Sequence, residues 1–295
     1  MTQSLETEIK NTNSDIYSPV YVMGDNIGNI QLIQHTGNDK IVVNSARVSY
    51  GQDNNKPFDK KDGKLLKYLL EHNHSSVLEH TYVTFAVEAP QFVFAQWVRH
   101  RLSSFNAQSF RYTEVKEDLF YVPKPRLQHK VNKQASMIPA VDSNGNITFT
   151  DLNKQQVTMP HEIWESAINS IYLEAYDLAM KRYNELLNLG VAREIARVVI
   201  PNGQYTRFYY SANLRSLLHF CDLRLAEGAQ LEIRWYAQAI MNTLSHLFPE
   251  TVAAWEELRQ VELSKQEELE KLRKLLEEIS GTVQSISTQM AEIQG

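Results

Sequence analysis

The residues from Arg99 to Tyr112 include three arginines, one histidine, three serines, an asparagine and a glutamine, with no acid among them. The whole chain carries 30 basic and 35 acidic side chains, for a formal net charge of -5. A short positive island on an acidic protein suits a small anion better than the long backbone of a nucleic acid. Its cations are arginines, and a planar guanidinium grips phosphate through paired hydrogen bonds and stacks on flat rings. The chemistry such residues can do is to hold phosphorylated, flat ligands. Pro90 to Val98 reads as a helix with Pro90 at its first position, where a missing N–H costs nothing. Gln96, Arg99 and His100 then stand at i, i+3 and i+4 on one face, with Arg101 turned toward a second ligand or a neighbouring subunit. Beyond Leu102 the helical pattern breaks, and in an extended segment Ser109 and Arg111 would point the same way. A helix end and a strand meeting at one cleft could hold two such ligands side by side.

The elements that must position these groups are legible in outline. Residues 16 to 35 predict two short strands around the turn Gly24–Gly28. Lys64 to Glu71 predicts a helix burying one leucine stripe, and His80 to Glu88 a strand rich in Tyr, Val, Thr and Phe. Residues 127 to 157 are polar and irregular, with a hairpin turn expected at Asp142–Asn146. A long helix is expected from Pro160 to Leu189, capped by Gly190. Tyr205 to Tyr210 predicts a strand, and Asn213 to Leu225 and Gln230 to Leu247 predict helices. The expected fold class is α+β, a twisted and mainly antiparallel sheet flanked by helices, with a C-terminal helical tail. We divide the chain at 1–258, a catalytic domain, and 259–295, the tail. In the tail Leu269, Leu272, Leu276 and Ile279 recur at intervals of three and four. That pattern suits a terminal helix lying on its own subunit as well as a short coiled coil for assembly or a partner.

Composition narrows the class. Apolar residues make up 43% of 295 residues, ordinary for a globular protein with a substantial core. No apolar run is long enough to span a bilayer, and the polar start Met1–Glu8 lacks the features of a signal peptide, so a cytoplasmic location is expected. Cys221 is the only cysteine, which excludes an internal disulfide. Its apolar helical surroundings read as packing rather than as an activated nucleophile. No Gly-x-Gly-x-x-Gly and no P-loop occurs, which argues against a Rossmann-type dinucleotide site. His74, Glu79 and His80 do not have metal-site spacing, so no metal is expected.

The motifs resemble one family. Arg99-His100-Arg101, then seven residues, then Ser109 is similar to the signature of the flavin-dependent thymidylate synthases. His74 to His80 resembles the family's His-x-x-x-x-Glu-His segment, and Gln96-Trp97 sits where the family has the same pair. Arg126-Leu127-Gln128, Asn132-Lys133-Gln134, Ala192 to Arg197, Tyr205 to Phe208, Asn213 to Leu217 and Ala229 to Arg234 follow in family order. The resemblance covers most of residues 15 to 258 and leaves the tail out.

The resemblance implies an enzyme making dTMP from dUMP, with methylenetetrahydrofolate as carbon donor, FAD as redox cofactor and NADPH as reductant. It implies a homotetramer with shared active sites, and no nucleic-acid or membrane partner is expected. Arg99, His100 and Arg101 would bind the flavin, with Ser76 beside it and Gln204, Thr206 and Tyr210 in a second flavin-contacting segment. Gln96, Arg99, Gln108, Ser109, Arg111 and Arg215 match dUMP-binding positions, Ser109 and Arg111 at its phosphate. Arg215, Ser109 and His74 are the expected catalytic residues. Arg215 would stabilise negative charge developing on the pyrimidine, and His74 would position or gate ligands. His219, on the helical face of Arg215, resembles a folate position.

Two departures stand against the pattern. Ala107 replaces a glutamate or glutamine common in the family, leaving the backbone or Gln108 to compensate. Asn188 replaces a phosphate-binding arginine, unless Lys181, Arg182 or Arg193 substitutes. Glu79 reads as an orienting acceptor rather than a proton carrier, and His80 as a structural histidine. An inactive relative acting through the tail, and an RNA-binding protein using Phe105 to Tyr112, remain as alternatives from other classes.

Overall fold

The computed structural model describes residues 15–52, 56–116 and 119–294, with side chains described as far as Gly281. These residues form two compact units, one of residues up to 37 with 78–244 and the other of 38–77 with residues from 245 onward.

The first unit is built on a five-stranded antiparallel sheet. Its strands are β1 (Val20–Tyr21), β2 (Asn29–Thr36), β3 (Tyr82–Pro90), β4 (Ser104–Ala107) and, after a long excursion, β9 (Tyr205–Asn213). Their spatial order is β1-β2-β3-β9-β4. Strand β3 is buried on both faces from Val83 to Val87, as suits a Val- and Phe-rich central strand. It pairs with β9 along its whole length, Tyr82 opposite Asn213 through Pro90 opposite Tyr205. Strand β9 alternates: Thr206, Phe208, Tyr210 and Ala212 are buried, while Arg207 and Tyr209 are exposed. Strand β4 is an edge strand on β9, with Ser104 opposite Ser211 and Ala107 opposite Phe208.

Helix α3 (Gln91–Trp97) follows β3 without a loop. Pro90 is the residue before the helix, not its first turn, and still belongs to β3, where its extended ψ of 150° redirects the chain. The N–H groups of Gln91 and Phe92, free of intrahelical partners, donate to the carbonyls of Gln204 (2.8 Å) and Asn202 (3.1 Å). Between β4 and β9 lie the short ladder β5 (Leu127–Gln128) with β6 (Ser136–Met137) and the hairpin β7 (Asn146–Thr150) with β8 (Gln156–Pro160). The turn at Asp142–Asn146 forms, with Gly145 at φ +79°, but it leads into β7; the hairpin itself closes at Asp151–Gln155. Helix α4 (His161–Asn188) ends at Gly190, whose φ of +79° and N–H to the carbonyl of Leu187 complete the expected cap. A short helix α5 (Arg193–Ala196) lies outside the elements expected from the sequence. Gly203, before β9, leaves room for the Tyr176 hydroxyl, which a Cβ there would overlap and which donates to the carbonyl of Tyr121 (2.7 Å).

Helices α6 (Leu214–Arg224) and α7 (Leu231–Leu247) complete this unit. Asn213 ends β9 and caps α6, its side chain accepting from the N–H of Ser216 at 2.9 Å. The core centres on Trp97, with no exposed surface, and the rings of Phe208, Tyr210, Phe220 and Tyr236 lie 5.1–5.5 Å from it. Cys221 is fully buried near the carbonyl of Ala237, at 3.7 Å.

The second unit contains α1 (Asp39–Arg47), α2 (Lys60–Glu71) and α8 (Pro249–Gln294). Asp39 accepts from the backbone of Glu250 (3.0 Å) and Thr251 (2.9 Å) and from the Thr251 hydroxyl (2.6 Å), capping α8 from α1. Asp62 is fully buried between Lys40, at 2.7 Å, and Arg47. Helix α8 runs unbroken through 258–259. Among the described residues no helix is long and apolar enough to cross a membrane.

Candidate active site

Trp97 is the anchor from which the site is built. Its ring locks the C-terminal end of α3 into the aromatic core, so the residues that follow leave the helix at a fixed point. Helix α3 stops there, and His100 closes the turn with its N–H to the carbonyl of Trp97 at 3.0 Å. Gln96, Arg99 and His100 therefore do not continue one helical face; Gln96 is on the helix and the other two are in the turn beyond it. Arg99 and Arg101 are exposed, and neither side chain has a hydrogen-bond or ion-pair partner among the described residues. Gln96 is half-buried and donates through Nε2 to Gln230 Oε1.

His100 is held inward. Arg224, in the last turn of α6, donates from Nε to His100 Nε2 at 2.9 Å and from a terminal nitrogen to the carbonyl of Gln96 at 3.0 Å. The imidazole packs edge-on against Phe220 at 4.7 Å and lies 6.3 Å from the ring of His219. Burial, then the charges of Arg224 and His219, lower its pKa from 6.5 to about 4. An imidazole accepting at Nε2 and kept neutral carries its proton on Nδ1. The Ser103 hydroxyl donates to the His100 carbonyl. Arg224 is thus a site residue that sequence reasoning misses. Its only local signal, a cation in the last turn of a helix, equally describes ordinary favourable interaction with the helix dipole.

The chain after β4 turns rather than extends. The N–H of Gln108 still donates to the Arg207 carbonyl (2.8 Å), but Tyr112 and Thr113 donate back to the carbonyl of Ser109, at 3.0 and 3.1 Å. Ser109 and Arg111 are therefore brought together by a turn, with the N–H of Arg111 donating to Ser109 Oγ at 3.3 Å, instead of by strand alternation. The Arg111 guanidinium, exposed, pairs with Glu194 at 3.0 Å. Gln108 donates to the Thr113 hydroxyl at 3.1 Å.

Arg215 stands in the first turn of α6 and donates to Glu79 at 2.5 Å; both side chains remain nearly half exposed. Glu79 accepts and orients, as its sequence context suggests. His219, one turn along α6, is exposed. The expected second flavin segment is different. Gln204 Nε2, Thr206 Oγ1 and Tyr210 OH are buried, and Gln204 Nε2 and Thr206 Oγ1 lack hydrogen-bond partners among the described residues. Strand alternation places Thr206 and Tyr210 on the core face, and burial raises the Tyr210 pKa. None of these three atoms is open to solvent. The outward register of this strand is Arg207, Tyr209 and Ser211.

His74 and Ser76 belong to the second unit. There His74 is exposed, with its ring 6.3 Å from Tyr68 and 6.4 Å from His72, after Asn73 turns the chain at φ +55°. Ser76 is also exposed. Of the cations considered as substitutes for Asn188, Arg182 pairs with Glu185 at 2.6 Å and Arg193 with Glu114 at 2.7 Å. Lys181 and Asn188 line the same groove of about 750 Å³ along α4.

An arginine-rich turn anchored by a buried tryptophan, with His100 behind it, presents exposed guanidiniums that an anionic ligand could reach. The family model described as "Thymidylate synthase complementing protein" matches residues 31–250. The chain belongs to this family, the flavin-dependent thymidylate synthases. It is 40% identical over 228 residues to the flavin-dependent thymidylate synthase of Thermosipho africanus, covering 77% of this chain and 90% of the relative. With the enzyme of that name from Thermus thermophilus the identity is 39% over 231 residues, covering 78% and 76%. Among solved structures, the UMP/dUMP methylase PolB from Streptomyces cacaoi, bound with 5-Br dUMP, superposes with a TM-score of 0.64 at 31% identity, covering 77% of this chain and 94% of that one.

Proposed function

We propose that this thymidylate synthase converts dUMP to dTMP, with methylenetetrahydrofolate as carbon donor and NADPH-reduced FAD as hydride source. The observation that carries the reading is the pair of exposed guanidiniums of Arg99 and Arg101, unpartnered among the described residues, at the end of a rigidly anchored helix. Exposed arginines without acidic partners fit the phosphates of a dinucleotide. Bound FAD would supply the hydride that completes the methyl group.

The protein's own residues bind and orient. Arg99, His100 and Arg101 form the flavin side, and Ser76 and His74 keep the flavin-side roles that the resemblance implies. His100 acts through its backbone and its packing, because its ring is already engaged by Arg224. Ser109 and Arg111 take the nucleotide phosphate, Arg111 exchanging Glu194 for it, while Gln96 and Gln108 supply amide contacts. Arg215 places a fixed positive charge where negative charge develops on the pyrimidine as its C5 is made nucleophilic. Glu79 positions that guanidinium. His219 lies on the folate side. Gln204, Thr206 and Tyr210 are left out of this assignment because they are buried. The active form is a homotetramer with shared sites, working in the cytoplasm.

The test is spectroscopic. Purified protein incubated with FAD and freed of excess should retain a flavin absorbance that anaerobic NADPH bleaches, faster with dUMP present. Protein that stays colourless would move the reading to an inactive relative, with Ala107 as the first position to restore.

A further inference from the structure

Helix α8 changes character along its length. Its first turns are fastened within the second unit: Asp39 caps the start, Thr251 and Val252 are buried, and Lys67 pairs with Glu257 at 2.7 Å. From Gln260 to Gly281 every residue is exposed. That stretch is nevertheless not polar all round. Leu269, Leu272, Leu276 and Ile279 are 57%, 51%, 65% and 52% exposed, an apolar seam with nothing over it among the described residues.

The seam has a register. With Leu269 as position a of a heptad, Leu272 is d, Leu276 a and Ile279 d. The sequence continues the repeat without interruption through Val283, Ile286, Met290 and Ile293. Eight successive a and d positions are apolar, four heptads, which is the length at which this pattern specifies a coiled coil. One heptad earlier the same positions hold Glu262 and Lys265, so the seam starts beyond the turns that Asp39 and Lys67 fasten. Glu270, Lys271, Lys274, Glu277 and Glu278 fall at b, c and f, away from the seam. The family match ends at residue 250, before any of this begins.

We propose that the segment from Leu269 onward is a self-association module, a parallel, in-register coiled coil with other copies of this chain. Charge decides orientation. Glu268, at g, stands five residues before Arg273, at e, the offset at which g of one helix meets e of the next in a parallel pair. The remaining e and g positions are Leu275, Ser280, Thr282, Ser287, Gln289 and Gln294, all uncharged, so none of them opposes a parallel pairing. Position a holds Leu269, Leu276, Val283 and Met290 and position d holds Leu272, Ile279, Ile286 and Ile293, a mixture of the branching patterns of two-stranded and larger coiled coils.

Disulfide trapping on the full-length protein tests this even if the catalytic body associates by itself. Cys221 is fully buried and stays as background. Leu272→Cys, Leu276→Cys and Ile279→Cys should each form interchain disulfides under mild oxidation, at least tenfold faster than Lys274→Cys and Glu277→Cys on the outer face. Equal rates at seam and outer positions would overturn the proposal, and trapping at one seam position alone would overturn the parallel register. Glu268→Arg should slow trapping at Leu272→Cys, and adding Arg273→Glu should restore it.

Discussion

Two groups of basic side chains in this protein are treated in opposite ways. In the second unit Lys40 and Arg47 converge on Asp62, whose side chain is fully buried, and the three close upon one another. In the first unit Arg99 and Arg101 stand exposed beyond a helix end, with no ion-pair partner among the described residues. In the closed cluster one carboxylate is shared between two cations, and its charges report on folding. The open pair contributes little to folding and keeps its hydrogen-bonding capacity for something that arrives. Where a chain places its acids separates cations closed into the fold from cations left open to a ligand.

The largest effect should come from breaking the closed cluster. Asp62→Ala strands two cations and is expected to cost about 3–5 kcal/mol of stability, seen as a lower midpoint in denaturant. A loss under about 1 kcal/mol would mean that water replaces the carboxylate, and the contrast between the groups would collapse. The opposite signature is expected of Arg101→Ala. Losing one charge-assisted phosphate contact should weaken FAD binding by about 1.5–3 kcal/mol, with folding stability changed by no more than about 0.5 kcal/mol. Titrating apo-protein with FAD beside a denaturation curve separates the two readouts.

His100 sharpens the comparison, since it lies beside the open pair yet behaves as part of the core. Its pKa is lowered from 6.5 to about 4, so the unfolded chain takes up a proton that the folded chain refuses. Its contribution to stability is complete above pH 6.5 and is lost progressively as pH falls toward about 4. His100→Gln should flatten that part of the stability–pH curve; an unchanged slope would assign the dependence to other groups. The smallest effect on folding belongs to Glu79→Gln. The pair with Arg215 is nearly half exposed, so stability should change by less than about 1 kcal/mol. Turnover should fall more than KM rises, because the substitution loosens a guanidinium needed most as charge develops.

What can be read in advance follows the range of the forces involved. The stop at Gly190, the cap at Asn213 and the apolar, β-branched character of β3 are local, set by backbone sterics and by side chains within a few residues. The arginine signature is equally legible, since its information lies in residue type and spacing. The sequence misleads where a residue answers to a distant partner. Pro90 reads as the opening of a helix, but pairing with Tyr205 keeps it in β3. Ser109 and Arg111 read as strand neighbours, but the ladder on β9 ends at Ala107 and the chain folds into a turn.

The sequence by itself determined the family, the antiparallel α+β class, the cluster of arginines after the third helix and the apolar residues at intervals of three and four in the tail. All of these depend on short-range spacing or on the summed weight of many positions. Only the tertiary structure decided which of these side chains are free to act. Arg224 reaches His100 from the far end of another helix, Glu79 reaches Arg215 across 136 residues, and the pleat of β9 buries Thr206 and Tyr210. A side chain's availability depends on which atoms already surround it, and those neighbours are assembled by packing between segments that no local pattern connects.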